Sequence, residues 1–284
     1  MIFSPTPSQV LLFGASGQIG SAIFRALPKN LVRSISWDEI ASLSLSHQIQ
    51  LIDRTLKSDS HSSVQILFAN GITNPSLEKK EILYSNYEFP RSIIRALIER
   101  PNFRFLTLGT VMEFFPEACA ANTYLGSKFK LGQEALEFST RWPGQWLHLR
   151  LHTIYTLPLK PYMFLGQLTE ALKKGQPFAM SSGKQLREYH HADDVANSVV
   201  ALLNKNWKSL RATLELSSGR PITLAELATA VFHYFGKSNL LQIGKIQGQQ
   251  GDNTQMAFPR SEPWLIGDDR EPISGVIRML TNSL

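Results

Sequence analysis

Tyr124 and Lys128 stand four residues apart in the run Asn-Thr-Tyr-Leu-Gly-Ser-Lys. On a helix that spacing puts both side chains on one face, with an ammonium beside a phenol. A free phenol ionises near pH ~10, too high for proton transfer at neutral pH. A neighbouring cation favours the phenolate and yields a workable general acid/base. Many exposed helices carry such a pair by chance, so its weight depends on the chemistry available elsewhere in the chain.

About 100 residues upstream, residues 10–20 read Val-Leu-Leu-Phe-Gly-Ala-Ser-Gly-Gln-Ile-Gly. The apolar run suits a buried parallel strand, and the Ser-Ala-Ile-Phe-Arg-Ala-Leu that follows has helical spacing. Three glycines therefore fall on a strand-to-helix turn. Gly14 permits the tight turn, Gly17 lets a pyrophosphate approach the backbone, and Gly20 lets the helix pack on the strand. The helix N-terminus offers free N–H groups to the phosphates. The spacing is Gly-x-x-Gly-x-x-Gly, not the Gly-x-Gly-x-x-Gly of the general fingerprint. Asp38 lies 18 residues beyond Gly20, where an acidic residue binds a ribose 2′-hydroxyl and favours NAD over NADP. Ser36-Trp37-Asp38-Glu39 also reads as a helix start, and Ser36 with Arg33 leaves NADP open.

Strand-like runs at Leu31–Ser36, Val64–Ala69, Phe103–Leu108 and Trp146–Leu151 alternate with helix-like stretches over 40–60, 77–99 and 124–139. That alternation predicts an α/β fold, a doubly wound parallel sheet with helices on both faces. Ligands of such sheets bind beyond the carboxyl ends of the strands, where Gly14–Gly20, Asn70-Gly71, Thr110 and the residues after Arg150 all fall. The second half reads as mixed: helices at 164–174, 192–203, 223–235 and 272–280, a short strand at 214–216, and a loop over 242–255. Thr223-Leu-Ala-Glu is a capping-box pattern. Residues 1–151 are expected to form a dinucleotide-binding domain and 152–284 a smaller mixed α/β C-terminal substrate lobe, with a segment at about 188–216 returning to the first.

The chain has 284 residues and a formal net charge of +6. Its Lys and Arg are dispersed, without a basic block, so no nucleic-acid partner is expected. The single cysteine, Cys119, excludes a disulfide framework and a cysteine-based zinc site. His190 and His191 have no further ligand at metal-binding spacing, so no metal is expected. No stretch of ~18 apolar residues and no leader pattern is present, and a soluble cytoplasmic protein without membrane contact is expected.

Taken together, these residues resemble the extended short-chain dehydrogenase/reductases, the NAD-dependent epimerase/dehydratase family, over nearly the whole chain. Gly14-Ala15-Ser16-Gly17-Gln18-Ile19-Gly20 is similar to its Rossmann cofactor turn, which implies contacts from Gly14, Ser16, Gly17, Gln18, Ile19 and Gly20. Asn70-Gly71 stands where the family lines the adenine–ribose side, and Asn86 where it carries a helical asparagine. Tyr124 and Lys128 look like its catalytic pair. The third catalytic residue is a Ser or Thr four places ahead of an aromatic, which implies Thr110 before Phe114, with Thr107 in reserve. Leu149-Arg150-Leu151-His152-Thr153-Ile154-Tyr155 resembles the strand leading to the nicotinamide and sugar pockets, implying Leu151 for cofactor and Thr153 for substrate. Arg187-Glu188-Tyr189-His190-His191-Ala192-Asp193-Asp194 is similar to a segment whose arginine binds a nucleotide-sugar diphosphate, which assigns Arg187 to substrate.

Three departures qualify the match. Val111-Met112 replace the Asp-Glu that sugar 4,6-dehydratases use for water elimination, and Glu113, one place off, should face away. Thr110 and Tyr124 are only 14 residues apart, which suggests a more open or smaller sugar site. Thr156-Leu157 replaces the usual Gly-Pro. The resemblance thus implies an NAD(P)-dependent 4-epimerase or 4-ketosugar reductase acting on a nucleotide sugar. It also implies a homodimer through the helices at 86–99 and 124–139. A non-catalytic NAD(P)-binding sensor or scaffold is the alternative, but such proteins often lose the Tyr or the Lys.

Overall fold

Val10, Leu11, Leu12 and Phe13 are all buried. Alternate residues of a strand face opposite ways, so this strand must be covered on both faces. The computed structural model describes residues 9–56, 63–74, 76–248, 256–261, 265 and 270–283. In chain order the elements are β1 (Gln9–Phe13), α1 (Gln18–Ala26), β2 (Val32–Ile35), α2 (Trp37–Ile40), α3 (Leu45–Leu56), β3 (Val64–Phe68), α4 (Lys79–Leu83), α5 (Phe89–Leu97), β4 (Phe103–Thr110), α6 (Pro116–Ala121), α7 (Thr123–Ser139) and β5 (Trp146–Leu151). There follow β6 (Thr153–Tyr155), α8 (Phe164–Lys174), β7 (Phe178–Met180), β8 (Leu186–Arg187), β9 (Tyr189–His191), α9 (Ala192–Leu203), β10 (Thr213–Leu216), β11 (Ile222–Thr223), α10 (Leu224–Tyr234), β12 (Leu241–Ile243) and α11 (Pro272–Thr281). Two compact units result: Met1–Leu151 with Val195–Leu216, and His152–Asp194 with Ser217–Leu284.

The first unit holds a six-stranded sheet in the order β10-β5-β4-β3-β1-β2, parallel throughout. Leu11, Phe13, Ile66, Phe68 and Phe105 pack against Ile52 of α3, Ile93 and Leu97 of α5, and Leu131 of α7. On the opposite face Ile23 of α1 meets Leu67 and Leu106, and Gln65 donates to the Leu203 carbonyl at the end of α9. Helices thus cover both faces, as the strand–helix alternation predicts. The connection from β1 runs to β2 on one side, whereas β3 returns to the other side of β1. The switch point therefore lies between β1 and β3, and a crevice opens beyond their carboxyl ends.

The helix expected over 77–99 is interrupted. Between α4 and α5 the residues Tyr84–Glu88 form a π-helical turn, a wider winding that frees backbone groups and recurs at functional sites. β4 runs on through Gly109 and Thr110, beyond the expected end at Leu108, and α6 fills the short gap before α7.

The second unit has its own core, in which Leu168 and Leu172 of α8, Leu227 and Val231 of α10, and Val276 of α11 pack around Tyr155 and Tyr189. Among the described residues its strands form three short pairs: β6 with β9 and β7 with β12 parallel, β8 with β11 antiparallel. The capping box at Thr223 is formed: Thr223 Oγ1 accepts from the Glu226 amide at 3.1 Å and the Thr223 amide donates to Glu226 at 2.7 Å. Of the loop expected over 242–255, residues 242–243 belong to β12, and 249–255 lie outside the described residues.

Candidate active site

The glycine turn occupies the switch point. Gly14 has φ +82°, the left-handed region that favours glycine, and a Cβ there would sit 2.5 Å from the Asn70 amide nitrogen. A Cβ on Gly20 would sit 1.9 Å from the Gly14 carbonyl oxygen, so α1 can pack on the turn only with glycine at that position. Gly17 donates to the Gly14 carbonyl at 3.0 Å. It caps α1 without a side-chain hydrogen bond, and no acidic residue stands in the first helical turn. Ser16 and Gly17 are exposed, and Gln18 and Ile19 are half-buried. The N–H groups of this turn, unopposed by carboxylate, suit an anion.

Across the crevice, the loop after β3 is pinned by the π-helical turn. Asn70 donates through Nδ2 to the Ser85 carbonyl at 2.9 Å, while its Oδ1 is buried without a hydrogen-bond partner. Asn86, fully buried, accepts from the Ile72 amide at 3.0 Å and donates to the Ile72 carbonyl at 2.9 Å. Gly71 lies between this clamp and Lys128: a Cβ there would be 3.2 Å from Asn86 Oδ1 and 3.5 Å from Lys128 Nζ.

Lys128 and Tyr124 lie on α7, whose first turn is capped by Asn122, its Oδ1 accepting from the Leu125 amide at 3.0 Å. Tyr124 is half-buried. Lys128 is only 6% exposed. Burial pushes its ammonium down to about 8, against the opposing pull of Glu113.

Thr110 ends β4. Its Oγ1 accepts from the Met112 amide at 3.3 Å and its own amide donates to Glu113 Oε1 at 2.8 Å. The hydroxyl proton is the group left to donate outward. Thr107, the reserve candidate, is fully buried. Its Oγ1 is bonded to Trp146 Nε1 at 3.0 Å and His148 Nδ1 at 2.8 Å, so it is tied into the sheet and not available to a substrate.

Glu113 points inward. Its Oε2 accepts from Arg150 Nε at 2.9 Å, and His148 Nε2 lies 3.1 and 3.2 Å from its two oxygens. Arg150 also reaches Glu215 on β10 at 3.0 Å. Burial opposes ionisation of Glu113, but His148, the Thr110 amide and Arg150 outweigh it and hold the carboxyl below its usual range. Sequence reasoning gave His148 no role, because its partner lies 35 residues away. The signal was Gly109 and Gly132: a Cβ on either would fall within 2.8 Å of the Glu113 carboxylate.

Asp38 lies in the first turn of α2, exposed. The residue directly after β2 is Ser36, which caps α2 and holds Glu39 Oε2 at 2.9 Å from its amide and 2.6 Å from its hydroxyl. Leu151, buried, ends β5.

In the second unit, Thr153 opens β6 beside Tyr189, and Arg187 on β8 faces Ile222 on β11. Between β8 and β9, Glu188 is buried and accepts from Ser217 Oγ at 2.7 Å, the Ser218 amide at 2.6 Å, Ser218 Oγ at 2.8 Å and His190 Nε2 at 3.1 Å. Burial opposes its ionisation, yet these donors hold the carboxyl at about 2. His152 packs edge-on against Phe258, its Nε2 3.8 Å from Glu188, and burial pushes its imidazole down to about 4. Among the described residues no group of three or more His, Cys, Asp or Glu is placed to hold a metal ion, and no helix is long and apolar enough to cross a membrane.

The fold is shared with solved structures of nucleotide-sugar enzymes. A UDP-glucose 4-epimerase from Thermotoga maritima, solved with UDP-glucose, superposes with a TM-score of 0.76 at 15% identity, over 96% of this chain and 97% of that one. MoeE5 in complex with UDP-glucose and NAD gives 0.74 at 18% identity over 97% and 98%. TunA, an NAD-dependent NDP-hexosamine 5,6-dehydratase of tunicamycin biosynthesis, gives 0.72 at 16% over 98% of each chain. At these identities the likeness is one of fold. No curated protein matches the sequence. Residues 10–211, which span the glycine turn, the Asn86 clamp, Thr110 and the Tyr124–Lys128 helix, match the profile of the NAD dependent epimerase/dehydratase family. The chain belongs to that family.

Proposed function

We propose that this protein is an NAD(P)-dependent enzyme that oxidises or reduces one carbinol carbon of a nucleotide-linked sugar, as a 4-epimerase or a 4-ketosugar reductase, with NAD preferred over NADP. The observation that carries the reading is Lys128: a buried ammonium facing Gly71 and the Asn86 clamp, one helical turn from the Tyr124 phenol. A buried cation is costly, and a site that retains one has a use for it.

The residues fit a dinucleotide. Gly14 and Gly20 stand where a Cβ would intrude, and Gly17 leaves the backbone bare between them; Ser16, Gln18 and Ile19 surround the open end of α1, and the unpartnered Asn70 Oδ1 is an acceptor on the loop after β3. When bound, the nicotinamide supplies the hydride chemistry. Lys128 holds the nicotinamide ribose and provides positive charge on the helix face it shares with Tyr124, which stabilises a phenolate. Tyr124 takes the proton from the sugar hydroxyl when that carbon is oxidised and returns it on reduction. Thr110, one lone pair of its hydroxyl occupied by the Met112 amide, donates to the same sugar oxygen. Gly71 and Leu151 line the cofactor, and Asp38 receives the ribose hydroxyls. In the second unit Thr153 and Arg187 contact the substrate, Arg187 as a charge-assisted donor to the diphosphate.

Elimination of water is disfavoured. Val111 and Met112 cannot serve as acid and base, and the neighbouring carboxylate Glu113 has both oxygens engaged by His148, Arg150 and Thr110. A homodimer through α5 and α7 accords with the exposed Leu136 on α7.

The test is to extract bound nucleotide from purified protein and assay nucleotide sugars with the parent and Tyr124→Phe. Retained NAD with interconversion of C4 epimers supports an epimerase; nucleotide-free protein that consumes reduced cofactor supports a reductase. Unchanged hydride transfer in Tyr124→Phe sinks the assignment. Arg187→Ala should weaken nucleoside diphosphate binding in calorimetry, and equal affinity would remove Arg187 from the substrate site.

A further inference from the structure

Glu113 stands within an interior built to receive it. The carboxylate fills space that only glycine leaves open on two elements: a Cβ on Gly109 of β4 would be 2.3 Å from Oε1, and one on Gly132 of α7 would be 2.8 Å from Oε2. Gly132 follows Lys128 by four residues, so the carboxylate rests against the helix face that carries Lys128, one turn further on. The same carboxylate accepts the Thr110 amide at 2.8 Å.

We propose that Glu113 is a positioning residue for the hydride-transfer site, fixing the Thr110 turn through its amide and supplying the counter-charge that keeps buried Lys128 protonated. The proposal rests on the reading of Thr110 and Lys128 as reacting apparatus. The groups facing Glu113 are His148 and Arg150 from β5, Cys119 from α6, Lys128 from α7 and the Thr110 amide; those facing Lys128 from the π-helical turn and the loop after β3 are the uncharged Asn86 and Gly71. Glu113 is the carboxylate among these, and Arg150 keeps Glu215 as a second partner when it is removed. The buried acid therefore does not serve His148 and Arg150 alone: among the described residues, its removal leaves the Lys128 ammonium with no opposing carboxylate.

Two variants test this: Glu113→Gln, and the apolar replacement Glu113→Met with His148→Leu, since exchanging a buried pair for hydrophobic groups commonly preserves folding. In cofactor-free protein, pH-dependent amine labelling of Lys128 read by mass spectrometry should show its titration lowered by ~1 pH unit in both variants. The Thr110 amide should exchange ~10-fold faster in the Met/Leu variant, which loses that hydrogen bond, and along the parent curve in Glu113→Gln, whose amide oxygen still accepts it. With substrate, the alkaline limb of kcat should move down by the same interval while KM holds. A folded variant in which Lys128 labels along the parent curve, or a folded Met/Leu variant in which Thr110 exchange is unchanged, overturns the proposal. Labelling and exchange need no substrate, so a failure of the nucleotide-sugar reading is seen separately, as loss of turnover in every form with the Lys128 shift intact.

Discussion

Asn86 closes both hydrogen bonds on a single residue, accepting from the Ile72 amide and donating to the Ile72 carbonyl, at 3.0 and 2.9 Å. The pairing joins a π-helical turn to the loop that follows β3, 14 residues earlier in the chain. It holds Gly71 beside Lys128 and so defines one wall of the proposed nicotinamide–ribose site.

Asn86→Ala removes both bonds and leaves the Ile72 groups to water. It should cost about 2 kcal/mol of stability and weaken NAD binding, because the loop carrying Asn70 and Gly71 is released. Urea unfolding and calorimetry of cofactor binding measure the two effects. A variant as stable as the parent that binds NAD equally well would show the clamp to be incidental.

Lys128→Met should stabilise the cofactor-free protein while abolishing turnover. The folded ammonium loses its proton near pH 8, against 10.5 for the reference group. Below about 8 both folded and unfolded chains are protonated, and the full burial cost of about 3 kcal/mol is present. Between 8 and 10.5 the unfolded chain binds more protons, so stability rises with pH across that window. Methionine removes the charge and that slope. Thermal unfolding at pH 7 and 9.5 checks both, and a less stable Lys128→Met at pH 7 would contradict them.

Acid should weaken the second unit in two stages. His152 takes up a proton near 4 when folded and near 6.5 in its reference state, so stability falls as pH drops from 6.5 to 4, by up to about 3 kcal/mol. Glu188, ionised down to about 2, adds a loss as pH falls from 4.5 to 2. The two groups share one cluster, and their effects do not simply add. His152→Phe, whose ring would meet Phe258 edge-on as the imidazole does, should flatten the first stage. Denaturant midpoints followed through that range decide it; a parent midpoint constant between 6.5 and 4 would contradict the burial of His152.

Gly20→Ala and Gly175→Ala form a matched pair. The first sets a methyl 1.9 Å from the Gly14 carbonyl, whereas the second has a left-handed φ of +61° but nothing within 4 Å. Gly175→Ala should cost about 1 kcal/mol and leave NAD affinity unchanged. Gly20→Ala should cost more than about 3 kcal/mol and abolish binding. Equal penalties would mean that α1 does not depend on its close approach to the turn.

The parallel sheet was legible because its signals are local: buried runs such as Val64–Phe68, turns at their carboxyl ends, and helical spacing between. The glycine turn was legible for the same reason, since the absence of a Cβ is itself the signal. The π-helical turn was not, because a widened turn changes hydrogen bonding without changing the apolar spacing of Ile82, Phe89 and Ile93. The short pairs of the second unit, such as Leu186–Arg187 with Ile222–Thr223, are too brief to display a period. The displacement of Glu113 by one position told only that it should face away from the dehydratase position; its burial was not legible, because its partners His148 and Arg150 came together only through sheet register, β4 beside β5. Glu188 with Ser217 and Ser218, 29 and 30 residues apart, was hidden in the same way.

The sixth strand of the sheet, β10, comes from residues 213–216, after the chain has passed through 152–194 of the other unit. During synthesis on the ribosome, an emerging polypeptide that ends at Leu151 carries five of the six strands with the outer edge of β5 unpaired. Arg150 then lacks Glu215, and Gln65 lacks the Leu203 carbonyl. Such a nascent chain presents a naked sheet edge to its neighbours. The nucleotide-binding half should therefore mature late, only once Thr213–Leu216 have been made, and fragments cut after Leu151 should aggregate where the longer chain does not.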